Sequence, residues 1–209
     1  MNGLIESIMQ SEEYKKNFPD SLTLKTPRVR LRILKADDRE LLQSHTKSAA
    51  LWEYFTKDLS KPEELKAWID EALRDLAEGR RVPFVVIDKD ENAVCGSTSF
   101  GNISFYDKRI EIGWTWLGER FIGMGVNRQA KFALLSYAFD VLKFERVEIK
   151  TDNLNERSKA ALKKIGATEE GVLRSHMLMQ NNRRRDSIYY SFLRSEWPGV
   201  KQNFFVDLS

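Results

Sequence analysis

The sequence has few of the side chains on which stapled or metal-bound folds depend. Its 209 residues include one cysteine and two histidines. A single cysteine cannot form an internal disulfide, which excludes a disulfide-stapled secreted scaffold. With so few cysteine and histidine side chains, a structural zinc site is not expected either.

Long apolar runs and an excess of one charge are also missing. The 34 Lys and Arg residues nearly balance the 31 Asp and Glu residues, which leaves a net charge of +3. Such a balance does not indicate a nucleic-acid partner unless the charge is clustered. No apolar run approaches the ~20 residues of a membrane span, and residues 1–6 lack the pattern of a secretory signal. We therefore expect a cytoplasmic protein without a membrane partner.

The apolar residues that are present suffice for one core. They make up 42% of the chain, too much for a disordered protein. A chain of this length buries roughly 70% of its surface on folding. We expect one domain over residues 21–209, preceded by a polar N-terminal extension, residues 1–20, that lies outside the core.

The spacing of the apolar residues alternates between the periods of strands and helices. It predicts strands over residues 28–34, 82–88, 94–105, 109–117, 146–151, 168–179 and 186–193. It predicts helices over residues 37–52, 60–79, 126–142 and 154–165. Short polar turns join the middle strands, as in antiparallel hairpins. The fold class is therefore α/β, with a mixed, mostly antiparallel central sheet of about six to seven strands flanked by helices.

A first candidate site is the segment Arg120-Phe121-Ile122-Gly123-Met124-Gly125, between a predicted strand and the predicted long helix. Without a Cβ at Gly123 and Gly125, a bulky anion can approach the main chain. The helix N-terminus adds unpaired N–H donors and a partial positive charge. The pattern suits a pyrophosphate site, although on its own an ordinary tight turn is the better interpretation.

A second candidate site is the start of the next predicted helix. Asn153 can cap this helix, and Glu156 can complete a capping box. Ser158 has the helical spacing of the buried face formed by Ala161, Leu162 and Ile165. An inward hydroxyl needs a partner, either its own helix backbone or a bound cofactor.

The third candidate site is the strand Arg109–Leu117. Glu111, Gly113 and Thr115 share one of its faces. A carboxylate beside a residue without a side chain fits the floor of a cleft, and a solvent-facing Glu111 fits the pattern equally well.

In this order the three segments resemble the GNAT superfamily of N-acetyltransferases. Arg120-x-x-Gly123-x-Gly125 matches its Gln/Arg-x-x-Gly-x-Gly/Ala acetyl-CoA motif, and Asn155-x-x-Ser158 resembles its second cofactor motif. Gly171–Arg174 and Tyr190–Trp197 look like the branch that acetylates N-terminal amines of ribosomal proteins. The resemblance covers about residues 29–197 and implies a single GNAT-like domain.

The resemblance implies an acetyl-CoA-dependent N-acetyltransferase. The cofactor-binding residues it implies are Leu117, Arg120, Phe121, Ile122, Gly123, Met124, Gly125, Val126, Asn155 and Ser158. Backbone N–H groups from Phe121 to Gly125 would take the pyrophosphate, with Arg120 and Arg128 nearby. The N–H of about Leu117 would stabilise the carbonyl oxygen.

The resemblance also implies catalytic roles. Glu111 is the candidate base, directly or through water, and Ser158 is the candidate acid. Asn155 would bind the pantetheine arm. Arg174 and His176 are candidates for the acceptor side, with a surface position as the competing interpretation of His176.

Alternatives remain for the acceptor and for the class of protein. A protein N-terminal amine is the first expectation, and a small amine such as a polyamine or an antibiotic is the second. A non-catalytic protein on the same fold could bind acyl-CoA, or contact RNA through Arg183–Arg185, which otherwise fits a polar hairpin turn. We do not expect nucleic acid or a metal. The oligomeric state is left open, a homodimer included.

Overall fold

The computed structural model describes residues 12–208 and contains one eight-stranded sheet. Its strands are β1 (Thr23–Lys25), β2 (Val29–Ile33), β3 (Arg81–Asp88), β4 (Ala93–Ser104), β5 (Arg109–Leu117), β6 (Arg146–Asp152), β7 (Thr168–Leu178) and β8 (Arg184–Leu193). They are ordered β1-β2-β3-β4-β5-β6-β8-β7. All neighbours are antiparallel except β5 and β6, which run parallel. The expected mixed, mostly antiparallel sheet is confirmed, and the three-residue β1 adds to the expected number of strands.

The helices are α1 (Asp38–Gln43), α2 (Pro62–Ala77), α3 (Val126–Ser136), α4 (Glu156–Lys163) and α5 (Trp197–Phe204). A π-helical turn, Tyr137–Val141, continues α3. The predicted helix over residues 37–52 is wrong in its middle, because α1 ends at Gln43 and a separate 3-10 turn forms at Ala49–Trp52. No helix within residues 12–208 combines the length and apolarity needed to cross a membrane.

Helices cover both faces of the sheet. β3 is buried along its whole length, and its side chains pack alternately against the helices on the two faces of the sheet. On one face Phe84 packs in a core with residues of α3, α4 and α5. On the other face Val85 packs in a second core with Trp68 of α2 and Trp116 of β5.

Part of the N-terminal extension belongs to the first core. Tyr14 and Phe18 are buried there, and the Tyr14 hydroxyl donates to the Arg81 carbonyl at 2.8 Å. The expectation that residues 1–20 lie outside the core is therefore wrong for this part, since its two aromatic rings supply apolar area. Residues 1–11 lie outside the described residues.

The parallel strands β5 and β6 separate soon after they meet. They pair only from Arg109–Glu111 to Arg146–Glu148. Beyond that point β5 carries a bulge, because the single residue Thr98 lies between the pairs Ser97–Trp116 and Ser99–Gly113. Bulges bend a strand and end its pairing. We call the resulting gap between the two strands the β5–β6 cleft.

A buried arginine supports this bulge. Trp114, one of the two residues of β5 that lie opposite Thr98, has a φ of 50°, which is rare for an aromatic residue. The Arg81 guanidinium lies 4.6 Å from the Trp114 ring centroid and 4.7 Å from that of Trp68. Its Nε donates to Ser99 Oγ at 2.8 Å. Cation–π contacts on both faces of the guanidinium therefore join the bulge to α2.

A lysine on α3 reaches the bulge from the opposite face. Lys131 Nζ donates to Thr115 Oγ1 at 2.8 Å, and that hydroxyl lies 2.8 Å from Thr98 Oγ1. The lysine is almost fully buried. Burial lowers the pKa of Lys131 to about 7, against the opposing influence of the Glu111 charge.

This lysine should make stability depend on pH. Between pH 7 and 10.5 the unfolded chain keeps a proton at Lys131 that the folded chain releases, so the free energy of unfolding rises with pH. One proton corresponds to a slope of about 1.4 kcal/mol per pH unit. We expect Lys131→Met to remove this slope and to be more stable than the wild type below pH 7, where the burial penalty is complete.

Urea unfolding across this pH range measures the slope for the wild type and the variant. Lys164→Met, at an exposed lysine, is the matched control and should keep the wild-type slope. Identical pH profiles for wild type and Lys131→Met would show that the buried amine does not titrate in this range.

Candidate active site

The loop after β5 begins with a 3-10 turn, Glu119–Phe121. Here the N–H groups of Phe121 and Ile122 donate to the carbonyls of Gly118 and Glu119, at 2.9 and 3.1 Å. These two N–H groups are therefore engaged within the turn. The Met124 N–H is also directed inward, to the Phe121 carbonyl at 3.5 Å. The expectation that all N–H groups from Phe121 to Gly125 face an anion is therefore wrong for these three.

The free donors lie further along the loop. Within the described chain, the N–H groups of Gly123 and Gly125 and of the first three residues of α3 have no hydrogen-bond acceptor. Gly123 and Gly125 have φ values of 81° and 82°, which favour glycine. A Cβ on either would meet no atom within 4 Å. Unpaired donors thus surround open space at a helix N-terminus, an arrangement suited to an anion such as pyrophosphate.

Arg28, just before β2, fixes this loop. Its Nη1 donates to the Met124 carbonyl at 2.8 Å. Its Nε and Nη2 donate to the buried Asp88 carboxylate at 3.0 and 2.7 Å. The sequence pattern around Arg28 does not indicate this role, because alternating arginines over residues 28–32 are typical of a solvated strand face.

The two arginines expected near the phosphates have other partners in the structure. Arg120 pairs with Glu91 at 3.0 Å and lies over the Phe121 ring, but its side chain remains 56% exposed. Arg128 donates to Asp207 and to the Phe204 carbonyl. Arg120 remains able to reach an anion, whereas Arg128 is engaged by the C-terminal segment.

The backbone of Leu117 faces the β5–β6 cleft. The N–H of the next residue, Gly118, donates to the Cys95 carbonyl of β4 at 2.8 Å. Since successive N–H groups along a strand point to opposite sides, the N–H of Leu117 points away from β4. This is the orientation that the proposed carbonyl-binding role requires.

Glu111 lies where the β5–β6 cleft begins and is only 3% exposed, so the alternative of a solvent-facing Glu111 is wrong. Its Oε2 accepts hydrogen bonds from Asn102 Nδ2 and Lys150 Nζ, both at 2.6 Å. Its Oε1 would lie 2.9 Å from a Cβ on Gly113. The missing side chain of Gly113 therefore makes room for the carboxylate itself.

The start of α4 differs in detail from its prediction. Asn155 rather than Asn153 is the N-cap, since its Oδ1 accepts from the N–H of Ser158 at 3.0 Å. Glu156 pairs with Lys159 instead of completing a capping box. The half-buried Ser158 hydroxyl has no hydrogen-bond partner among the described residues. The alternative of back-bonding to its own helix is therefore wrong, and the hydroxyl is free for another partner.

A polar face of the sheet extends from Glu111 across β6 and β8. The strand register places Lys150 opposite Tyr189 and Asp152 opposite Ser187, on the same side as Glu111. We call Glu111, Lys150, Asp152, Arg185, Ser187 and Tyr189 the polar face.

His176 borders the polar face, and Arg174 lies apart from it. His176 Nδ1 lies 3.0 Å from Ser187 Oγ, and its ring meets the Tyr189 ring edge-on. Partial desolvation, assisted by the nearby Lys150 charge, lowers the pKa of His176 and favours the neutral imidazole. Arg174 is exposed on the edge strand β7.

The three arginines at residues 183–185 do not form one patch. Arg183 pairs with Asp152, and Arg184 bonds to the Ser175 carbonyl and hydroxyl. Arg185 is buried. Only Arg184 is exposed, so the cluster offers little of the continuous charge that RNA binding requires.

Comparisons with known proteins agree with this geometry. A family model described as "Acetyltransferase (GNAT) domain" matches residues 28–168. A Bacillus subtilis (strain 168) protein named as a ribosomal N-acetyltransferase, YdaF, is 36% identical over 111 residues. That match covers 53% of this chain and 60% of the relative, so the chain spans less than two thirds of it.

Two further matches extend over most of the chain. The N-acetyltransferase p20 of Bacillus licheniformis, itself uncharacterised, is 29% identical over 182 residues, which are 85% of this chain and 99% of that protein. The crystal structure of a GCN5-related N-acetyltransferase from Brucella melitensis superposes with a TM-score of 0.82 at 28% identity. It covers 92% of this chain and 87% of the other.

The loop geometry predicts that charge at Gly125 controls anion binding. We expect Gly125→Glu to lose affinity for CoA, because its carboxylate would lie at the unpaired N–H groups. Gly125→Gln is the matched control, since it has the same size and the same strain at positive φ. Calorimetry with CoA should show a clearly larger loss for the glutamate. Equal losses would mean that the loop geometry, and not the charge, is responsible.

Proposed function

Because the chain belongs to the acetyltransferase (GNAT) family, we propose that it transfers the acetyl group of acetyl-CoA to a primary amine in a ternary complex. The observation that carries the proposal is the position of Glu111. Its Oε1 accepts no hydrogen bond from the residues that the structure describes and lies against Gly113, where the β5–β6 cleft begins.

The chain offers suitable groups to hold acetyl-CoA. The unpaired N–H groups of Gly123, Gly125 and the first turn of α3 suit its pyrophosphate. The Asn155 side chain has an amide NH₂ left over after its Oδ1 caps α4, and this group suits a pantetheine carbonyl. When bound, the cofactor supplies an acetyl group activated as a thioester.

Glu111 is proposed to accept the proton of the attacking amine. An ammonium has no lone pair, so the acceptor must be neutral when it attacks. The new N–C bond forms as the C–S bond breaks, and the amine proton passes to Glu111, directly or through water. The Leu117 N–H is proposed to stabilise the charge that develops on the carbonyl oxygen.

The departing thiolate takes up one proton. The Ser158 hydroxyl is the proposed donor because it has no partner among the described residues. It would take up a proton from solvent as it gives its own to the sulfur, so the hydroxyl is regained. A thiolate is also a stable leaving group at neutral pH, so we expect the loss of this hydroxyl to slow turnover less than the loss of Glu111.

A protein N-terminal amine is the acceptor class that we propose. The name of the Bacillus subtilis relative supports it, and Arg174 and His176 are proposed to contact the acceptor. A polyamine is less suited to this site, because Glu111 and Asp152 each already pair with a cation.

An assay of thiol release with acetyl-CoA and N-terminal peptides tests the proposal. Cofactor binding without turnover on any amine would favour the non-catalytic alternative.

The base is tested with Glu111→Gln. We expect acetyl-CoA binding to persist and turnover to fall by about 100-fold, the lower end of what general base catalysis contributes. The deficit should shrink as pH rises, because more of the acceptor amine is then already neutral. Glu148→Gln is the matched control, since Glu148 lies opposite Glu111 in the register and pairs with Arg146. Unchanged turnover in Glu111→Gln would exclude Glu111 as the base.

The space beside Glu111 is tested with Gly113→Ala. The added Cβ would lie 2.9 Å from Glu111 Oε1, closer than such contacts occur, so the carboxylate must move. We expect lower turnover with little change in acetyl-CoA affinity, measured by thiol release and calorimetry. Gly199→Ala should be neutral, because a Cβ there meets no atom within 4 Å. Wild-type turnover of Gly113→Ala would show that Oε1 is not used.

A further inference from the structure

Arg185 is a buried cation without a counterion. The residue is 7% exposed, and its Nε is buried without a hydrogen-bond partner. Its guanidinium forms no hydrogen bond or ion pair with any residue that the structure describes. Burial lowers the pKa of Arg185, but a guanidinium stays protonated in proteins. A buried, unpaired charge is costly, so its presence indicates a ligand that completes it.

The charges around Arg185 define what that ligand must carry. Asp152 and Glu111 are the nearest sources of negative potential. Both are committed elsewhere, Asp152 to Arg183 and Glu111 to Lys150. Each of these two ion pairs is neutral by itself, so neither carboxylate is left to pair with Arg185.

The other buried arginine with an unpartnered nitrogen among the described residues is different. Arg81 also has a buried, unpaired Nη2. Its guanidinium, however, lies between two indole rings and donates to Ser99. The Arg81 guanidinium therefore has partners within the fold, whereas Arg185 has none among the described residues and lies on the face that Glu111 shares.

We propose that the acceptor carries a carboxylate close to its reactive amine, and that this carboxylate binds Arg185. The inference rests on the proposed function. It narrows the proposed acceptors to protein N-termini that have Asp or Glu among their first residues. A guanidinium binds a carboxylate through two parallel N–H···O bonds. Such a bond would fix the position of the acceptor while its amine reaches Glu111 on the same face.

The test compares peptides that differ only in one charge. Peptides with Asp or Glu at the first, second or third position are assayed beside their Asn or Gln counterparts and a Lys series. We expect the wild type to have a kcat/KM about tenfold or more higher for the best acidic peptide, as a charge-assisted hydrogen bond would contribute. In Arg185→Gln the ratio of acidic to amide peptide should fall to near one.

Arg30→Gln is the matched control, because Arg30 is an exposed arginine on β2, in the other half of the same sheet. It should keep the wild-type ratio of acidic to amide peptide.

Arg185→Gln should also raise the melting temperature of the free enzyme, since an uncompensated buried charge is removed. An acidic peptide should raise the melting temperature of the wild type more than that of Arg185→Gln.

Peptide binding to the CoA complex, measured by calorimetry, separates this inference from the proposed function. If no peptide is acetylated but acidic peptides bind preferentially through Arg185, the transfer proposal fails and the site assignment stands. If peptides are acetylated without a preference for acidic ones, the inference about Arg185 fails alone. A weakened affinity of Arg185→Gln for CoA itself would assign the guanidinium to the cofactor and also overturn the inference.

Discussion

The early separation of β5 from β6 is the constraint on which the candidate site depends. Parallel strands normally continue to pair, and their backbone hydrogen bonds then leave no gap between them. Here pairing stops at Glu111, and a bulge at Trp114 and Thr115 turns β5 away. The separation opens the cleft, directs the Leu117 N–H into it, and leaves Glu111 at the point where the two strands part.

Three basic side chains are buried around the candidate site, at positions where an apolar side chain would make the fold more stable. Arg81 and Lys131 approach the bulge from opposite faces of the sheet. Arg185 lies unpaired on the polar face. Each buried charge lowers stability unless it is compensated, so the two large apolar cores must offset this cost. The molecule thus keeps buried charges at its candidate site although they lower the free energy of unfolding, as proteins commonly do at functional sites.

Periodicity predicted most of the fold because the signal is local. The first part of β5 follows from the alternation of Ile110 and Ile112, and the glycine loop follows from two residues beside a helix start. The bulge then reverses the alternation, so that Thr115 faces Lys131 and Trp116 lies in the second core. The expectation that Thr115 shares a face with Glu111 and Gly113 is therefore wrong. The residues that support the site could not be found in this way. Arg28, Arg81 and Lys131 act on partners many positions away in the chain, and only the register of the sheet brings them together. The choice between Asn153 and Asn155 as the cap depended on where α4 begins, which sequence patterns place poorly.

The placement of Arg184 and Arg185 has a consequence for how such a protein could diversify. Neighbouring residues of a strand point to opposite faces, so one arginine meets solvent while the next is buried. A shift of the whole strand by one residue would exchange the two faces, but it would also move Ile188, Tyr190 and Phe192 out of the first core. Substitution of Arg185 alone would change the charge at the proposed acceptor site without any change in the core, the cofactor loop or the base. Selectivity for a new amine could therefore arise through one side chain of β8, separately from the evolution of the chemistry.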